Sequence, residues 1–146
     1  MIRLAIDGDE RDVRAAAALR RAWTEEDGPV ADDPGFEARF ADWLARNRRM
    51  IWLAEAPAPI GMLNLAVFER MPRPGRDVGC WGYIANTYVL PAHRNSGVGR
   101  ELLDAAIAHA RQQRFARLVL APTERSRPFY ARAGFTPATS LLVLEL

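Results

Sequence analysis

Residues 94–100 form the stretch of this chain best suited to chemistry, because two glycines and two arginines fall together there. A strand-like run stops just before it at Pro91, and apolar residues at helical spacing begin at Val98. Glycine lets backbone N–H groups come close to a ligand, since no Cβ stands in the way. The first N–H groups of a helix lack partners within it and carry the positive end of its dipole. The sequence therefore predicts an anion site, above all for phosphate, at the start of a helix.

Two nucleotide-binding motifs fit this loop poorly. A dinucleotide fingerprint requires a third glycine at the position where this chain has Leu102. A P-loop requires a lysine after its second glycine, and the chain contains no lysine. A turn between a strand and a helix that binds no ligand stays open at this point.

The hydropathy pattern predicts the elements that must hold the loop in place. Val89 lies at the end of the strand that leads into the loop, and the strand–helix–strand pattern around the loop implies a parallel neighbour for that strand. The three strands before the loop follow one another through short connections and are predicted to form an antiparallel meander. The predicted strands are residues 2–6, 50–56, 60–70, 81–90, 118–121 and 141–146; the predicted helices follow residue 9, begin at residue 34 or 35, and cover residues 98–113 and 129–133.

In chain order these elements read β-α-α-β-β-β-α-β-α-β. The fold class is therefore α+β, with a mixed, mostly antiparallel sheet flanked by helices. At 146 residues the chain is long enough for a sizeable core. We expect a single domain over residues 1–146, because no linker or low-complexity tract divides the chain.

Composition disfavours several other classes of protein. The only cysteine, Cys80, permits no internal disulfide, and the two histidines lie on different predicted elements, so no metal site is expected. No apolar run approaches the roughly 20 residues of a membrane span. Residues 1–7 are typical of a strand rather than of a signal peptide, which favours a cytoplasmic protein. The net charge is only +2, and no basic run with interleaved aromatic residues suggests nucleic acid as a partner.

A second motif follows the glycine loop about 35 residues later, where residues 129–135 read Phe-Tyr-x-x-x-Gly-Phe. This block and the Arg-x-x-Gly-x-Gly pattern of residues 94–99 together resemble the GCN5-related N-acetyltransferases, the GNAT family. The predicted order of elements is also similar to that family's, over the whole chain. The resemblance implies a GNAT-like fold and acetyl-CoA as cosubstrate, without a metal.

The resemblance also implies which residues hold the cosubstrate. Backbone N–H groups of the loop would wrap the pyrophosphate, and backbone groups of the strand before it would pair with the pantetheine arm in a V-shaped slot. Arg125 and Arg127 are further candidates for the phosphates. Many members have an asparagine where this chain has Thr123, which leaves the contacts of that loop open. The cofactor-binding residues implied are Tyr88, Val89, Arg94, Asn95, Ser96, Gly97, Val98, Gly99, Arg100, Ser126 and Phe129.

Tyr130 stands where the family often places a phenol near the sulfur of the cosubstrate. There it would protonate the departing thiolate, although a structural, hydrogen-bonded tyrosine is the alternative. A neutral amine would attack the thioester carbonyl directly, while the N–H of Val89 holds the oxyanion. The candidates for the group that takes the proton from the amine are Glu26, Asp27, Glu69 and a water bound to Asn86.

The acceptor is predicted only as a class. Asn86, Glu26 and Glu69 are the predicted substrate-binding residues, and the acidic end of the first helix favours a cationic amine on a small molecule or a peptide. Acetyl-CoA-dependent N-acetylation is the first functional hypothesis. A non-catalytic acyl-CoA-binding module, a sensor or a partner subunit, is the alternative, and the intact Tyr130 favours the enzyme. A homodimer is a candidate assembly, because the last apolar strand would present a free edge.

Overall fold

A computed structural model describes the whole chain, Met1–Leu146. The strands are β1 (Ile2–Leu4), β2 (Arg49–Glu55), β3 (Pro59–Glu69), β4 (Cys80–Val89) and β5 (Leu118–Val119), and the helices are α1 (Glu10–Glu26), α2 (Phe36–Arg46), α3 (Val98–Gln112) and α4 (Arg127–Arg132). Short 3-10 turns at Pro91–His93 and Glu124–Ser126 precede α3 and α4. None of the helices combines the length and the apolar character needed to cross a membrane.

The five strands form one sheet in the order β1-β2-β3-β4-β5. Neighbours are antiparallel except for β4 and β5, which run parallel. Short turns can join antiparallel strands, whereas a parallel pair needs a crossover, here through α3. The predicted α+β class, the meander and the parallel partner of β4 are confirmed.

Helices cover both faces of the sheet, which explains why β3 is apolar on both sides. On one face α3 packs Leu102, Leu103 and Ala106 against the middle strands. On the other face α1 contributes Ala16 and Leu19 to a second core. The helices thereby hold the sheet as a rigid layer, and the end of β4 can carry a site.

Charged groups anchor the first half of the molecule. The side chain of Asp9 accepts a hydrogen bond from the N–H of Asp12 and caps α1. Asp12 and Glu55 both accept from the guanidinium of Arg3, at 2.6 Å and 2.9 Å. Strand β1, helix α1 and strand β2 are therefore joined by one ionic cluster, which orients α1 so that its last turn reaches the end of β4.

The strand predicted at residues 141–146 is not formed. No backbone hydrogen bond involves residues 136–146, and Leu142 and Leu144 are exposed. The neighbouring strand β5 has only two residues, so it offers almost no edge with which another strand could pair. The observed order of elements therefore ends with α4, although the segment has the apolar pattern of a strand.

Candidate active site

A cleft opens where β4 and β5 separate. The two strands pair only at Gly82 with Leu118 and at Tyr83 with Val119. They are packed closely there, because a Cβ on Gly82 would lie 2.8 Å from the side chains of Leu65 and Leu118. Beyond these pairs the strands diverge, as the predicted V-shaped slot requires.

An irregularity in β4 lies at the start of this divergence. Asn64 faces Asn86, whereas the next residue, Leu65, faces Ile84, so Ala85 is an extra residue on β4. Such a bulge bends its strand and increases the local twist. It therefore helps to turn the end of β4 away from β5 and re-aims the side chain of Asn86.

The cleft encloses about 580 Å³. Its walls are residues 84–89 of β4 and residues 120–123 after β5, and the ends of α1 and α4 close it. The charged and hydroxyl-bearing side chains in the lining are Glu26, Asp27, Thr87, Tyr88, Arg94, Thr123, Arg125, Ser126 and Tyr130. A long, partly polar ligand can thus lie between the two strands.

Val89 presents its backbone to the cleft. The N–H of Leu90 donates to the carbonyl of Ile60 on β3. Because backbone groups alternate in direction along a strand, the groups of Val89 and Thr87 point away from β3, into the cleft, and those of Tyr88 point towards β3. The backbone groups of Tyr88, which the resemblance assigned to the pantetheine arm, thus point towards β3, whereas Thr87 faces the cleft and its hydroxyl is buried without a partner.

The glycine loop carries a row of free donors. The backbone N–H groups of residues 95–100 have no acceptor in the protein, and the first bond of α3 is that from Glu101 N–H to the carbonyl of Gly97. No side chain caps α3. Asn95 and Gly97 have φ of 60° and 93°, which curls the loop and leaves these donors at the positive end of the helix. This arrangement suits a phosphate group.

Glu26, Tyr88 and Arg94 form a hydrogen-bonded cluster at one side of the cleft. Arg94 donates to both carboxylate oxygens of Glu26, at 2.6 Å and 2.8 Å, and through Nε to the carbonyl of Val89 at 2.9 Å. The hydroxyl of Tyr88 donates to Glu26 Oε1 at 2.5 Å, and its ring stacks on Trp23. The last turn of α1 is thereby tied to the start of the glycine loop.

The cluster changes the acid–base properties of its members. Hydrogen bonds from Arg94 and Tyr88 hold the pKa of Glu26 below its ordinary value. Burial, together with the hydrogen bond to Glu26, raises the pKa of Tyr88 to about 12. Glu26 is therefore an ionised ion-pair partner and a weak base, and Tyr88 stays protonated at neutral pH.

The opposite wall comes from α4. Tyr130 packs edge-on between Phe129 and Phe135, and its hydroxyl has no partner in the protein. Ser126 is held by Thr123, whose side chain accepts from the N–H of Ser126. Thr123 thus starts the turn before α4.

Most of the predicted site residues meet at this cleft. Its lining contains Glu26, Asn86, Tyr88, Val89, Arg94, Gly99, Ser126, Phe129 and Tyr130, and its rim carries Asn95, Ser96, Gly97, Val98 and Arg100. The guanidinium of Arg100 is engaged with Asp104. Arg127, in turn, is paired with Glu124.

Glu69 does not belong to the cleft. It is exposed and pairs with Cys80 at the far end of β3. Five residues of extended strand, about 17 Å, separate it from Asn64, which faces the cleft-lining Asn86. A strand pattern alone could not tell which end of β3 faces the site.

Three further residues in or beside the cleft escaped sequence reasoning. Trp23 and Thr87 line the cleft, and Asn64 stands beside Asn86 with its Oδ1 buried and unpaired. An asparagine within an otherwise apolar strand was the one available signal for Asn64, because a buried amide needs hydrogen-bond partners. The structure contains no group of three or more histidine, cysteine or carboxylate side chains that could hold a metal ion.

Comparison with known families agrees with this architecture. Residues 16–135 match the acetyltransferase (GNAT) family. Since the match covers most of the chain, the protein belongs to this family of acetyltransferases, and the family predicted from the two motifs is confirmed.

Individual relatives share between 23% and 31% of their residues with this chain over the aligned regions. A glucosamine 6-phosphate N-acetyltransferase from Trypanosoma brucei brucei is 29% identical over 87 residues, which make up 60% of this chain and 57% of that protein. A GCN5-related N-acetyltransferase from Ralstonia eutropha JMP134 is 31% identical, with a TM-score of 0.70 over 99% of this chain and 97% of its own. The crystal structure of a predicted acetyltransferase from Clostridium acetobutylicum with acetyl-CoA has the same fold, with a TM-score of 0.72 at 23% identity over 99% and 95% of the two chains.

Proposed function

We propose that this protein transfers the acetyl group of acetyl-CoA to a primary amine of a small molecule or peptide. The main support is the row of free N–H donors at residues 95–100, which lies beside a cleft between diverging strands. Family membership and the relatives that act as N-acetyltransferases support the same reaction.

The cleft fits the chemistry of acetyl-CoA in three parts. The N–H donors at the start of α3 suit the pyrophosphate. The backbone groups of Thr87 face the cleft and can pair with an amide of an extended pantetheine arm, whereas the carbonyl of Val89 already accepts from Arg94. Phe129 and Leu120 offer an apolar wall along that arm. When bound, acetyl-CoA supplies an activated thioester carbonyl.

The side chains of the cleft would then position the reactants and move protons. The N–H of Val89 is directed into the cleft and can donate to the carbonyl oxygen as negative charge develops there. The hydroxyl of Tyr130 has no partner in the protein, so it is free to donate its proton to the departing thiolate.

Two of the predicted acceptors of the amine's proton are unsuited to that role. Glu26 is paired with Arg94 and has a lowered pKa, and Glu69 lies outside the cleft. We therefore leave proton removal to the other two predicted candidates, Asp27 and a water bound to Asn86, because both residues line the cleft. Glu26 acts instead as a positioning residue that holds Arg94 and the loop.

Turnover and binding together test this function. The release of free thiol from acetyl-CoA is followed with a panel of primary amines, and acetyl-CoA binding is measured by calorimetry. Replacement of Tyr130 by phenylalanine should lower kcat by about 10²–10⁴-fold, the usual contribution of a general acid, with little change in affinity. An unchanged kcat would contradict the acid role.

The non-catalytic alternative predicts a different result. An acyl-CoA-binding module would bind acetyl-CoA with the same dependence on the loop but would release no thiol with any amine. A wild-type protein that binds no acetyl-CoA would contradict both functions.

A homodimer is also part of the proposal. Leu142, Val143 and Leu144 are exposed, and the outer edge of β5 is unpaired. Covering these residues with a second copy would remove apolar surface from water. Light scattering after size exclusion should give the mass of a dimer, and Leu142→Ser/Leu144→Ser should give that of a monomer; a monomeric wild type would contradict the assembly. The single domain and the cytoplasmic location stay predictions.

A further inference from the structure

A second cavity lies on the other side of Asn86. It encloses about 370 Å³ between α2 and the face of the sheet that carries α1. Asn86 lines both this cavity and the cleft, so the two spaces adjoin at this side chain next to the bulge of β4. A molecule in the second cavity would therefore lie next to the cleft where the proposed reaction takes place.

The wall of the second cavity is largely apolar. Helix α2 presents Phe36, Phe40 and Trp43, whose rings pack against one another at centroid distances near 6 Å. Ile51 and Met62 from the sheet complete this wall. An aromatic or bulky aliphatic group would bury its surface there, and a sugar would leave its hydroxyl groups without partners.

An unpaired amide lies at the inner end of the cavity. Asn64 is only 6% exposed, and its Oδ1 has no hydrogen-bond partner although its Nδ2 donates to Asn86 at 3.3 Å. A buried acceptor without a donor is costly, and such groups are rare in folded proteins. An amine N–H of a ligand would satisfy Asn64 and would place the nitrogen next to Asn86.

The charge of the cavity is positive. Its lining includes Arg20 and Arg39 but no carboxylate. Arg39 is paired with Asp33, whereas Arg20 makes no ion pair and lies over the ring of Trp23. Arg20 can therefore bind an anionic group, and its uncompensated positive charge favours the neutral, nucleophilic form of an amine nearby.

We propose that this cavity is the acceptor subsite and that it takes apolar amino acids, with the amine at Asn64, the carboxylate at Arg20 and the side chain against α2. The proposal rests on the acetyl transfer proposed above and narrows its substrate class. It replaces the cationic amine predicted from the acidic end of α1, because Glu26 there is already neutralised by Arg94.

Three matched amines test the subsite. L-phenylalanine carries both the carboxylate and the aromatic side chain. Phenethylamine lacks the carboxylate, and putrescine represents the cationic amines predicted from the acidic end of α1. We expect the highest kcat/KM for L-phenylalanine. In Arg20→Gln the ratio of kcat/KM for L-phenylalanine over phenethylamine should fall about 10- to 100-fold, the range for one charge-assisted hydrogen bond. Arg14→Gln, which removes an exposed arginine of α1 paired with Glu37, is the control and should leave the ratio unchanged.

Binding of L-phenylalanine in the absence of acetyl-CoA separates this inference from the proposed function. Calorimetry should detect binding to the wild type and a 10- to 100-fold weaker affinity in Arg20→Gln. If L-phenylalanine binds but no acetyl group is transferred, the subsite stands and the proposed reaction fails. If another amine is acetylated and L-phenylalanine neither binds nor reacts, the reaction stands and the subsite is wrong. A preference for putrescine, or equal rates for L-phenylalanine and phenethylamine, would also overturn the subsite.

Discussion

Replacing Gly97 by alanine tests whether acetyl-CoA binding depends on the shape of the glycine loop rather than on the stability of the fold. Gly97 has a φ of +93°, and a Cβ added there would meet no atom within 4 Å. The cost in the folded state is therefore backbone strain alone, about 1–2 kcal/mol for an L residue in the left-handed region. The lower entropy of the unfolded alanine chain offsets about 0.4–1 kcal/mol of this. We expect the free energy of unfolding to fall by between about 0 and 1.6 kcal/mol.

Acetyl-CoA binding should suffer more than stability. The loop can relieve the strain by rotating residue 97 towards negative φ, because nothing packs against it. That rotation would turn adjoining N–H groups away from the ligand. The loss of one hydrogen bond to a charged group costs about 1.5–3 kcal/mol, which is about a 10- to 100-fold increase in Kd.

The control is Gly8→Ala. Gly8 also has a positive φ, +74°, and open space around it, but it lies in the turn before α1 and does not line the cleft. Urea denaturation should give both variants a similar, small loss of stability. Calorimetric titration should show weaker acetyl-CoA binding only for Gly97→Ala. Equal weakening in both variants, or wild-type affinity in Gly97→Ala, would refute the role given to the loop.

Three other perturbations test the rest of the structure. The pKa of Asp12 is lowered from 3.8 to about 2, which corresponds to about 2 kcal/mol of stability present above pH 5 and half lost near pH 3. The difference in urea stability between wild type and Asp12→Asn should shrink as the pH falls, and a constant difference would contradict the ion pair. Gly82→Ala should cost about 1–3 kcal/mol by overpacking, whereas Gly79→Ala, whose Cβ would have only an ordinary contact, should leave Tm almost unchanged. In Glu26→Gln the phenol of Tyr88 should ionise below the wild-type pKa of about 12 in an ultraviolet titration, and an unchanged value would mean that the hydrogen bond has no influence.

Sequence reasoning succeeded where structure depends on residues close together in the chain. The glycine loop, the strand before it and the helix after it are consecutive, so their pattern was sufficient to predict a loop with free N–H donors at the start of α3. The strands were placed within a few residues because alternation and turns are local signals. The exception is the segment 141–146, whose apolar pattern is that of a strand but which makes no backbone hydrogen bond, because the two-residue β5 offers only a short edge.

The sequence was less informative wherever function depends on which side chains meet. Glu26 and Arg94 are 68 residues apart, and only the docking of α1 against the end of β4 brings them together. This contact turns Glu26 from a candidate base into an ion-pair partner. Likewise, Asn64 and Asn86 meet because the register of β3 and β4 shifts at the bulge.

The amino-acid sequence by itself thus determined the family, the order of the elements up to α4 and the loop with its free N–H donors. Those features follow from dihedral preferences, hydrophobic period and helix ends, all of which are set by near neighbours. The tertiary structure alone decided where the cleft opens, which charges are neutralised and where an unpaired amide faces a second cavity. These depend on strand register, on the bulge and on the packing of helices against the sheet, and no local pattern encodes the distance between residues far apart in the chain.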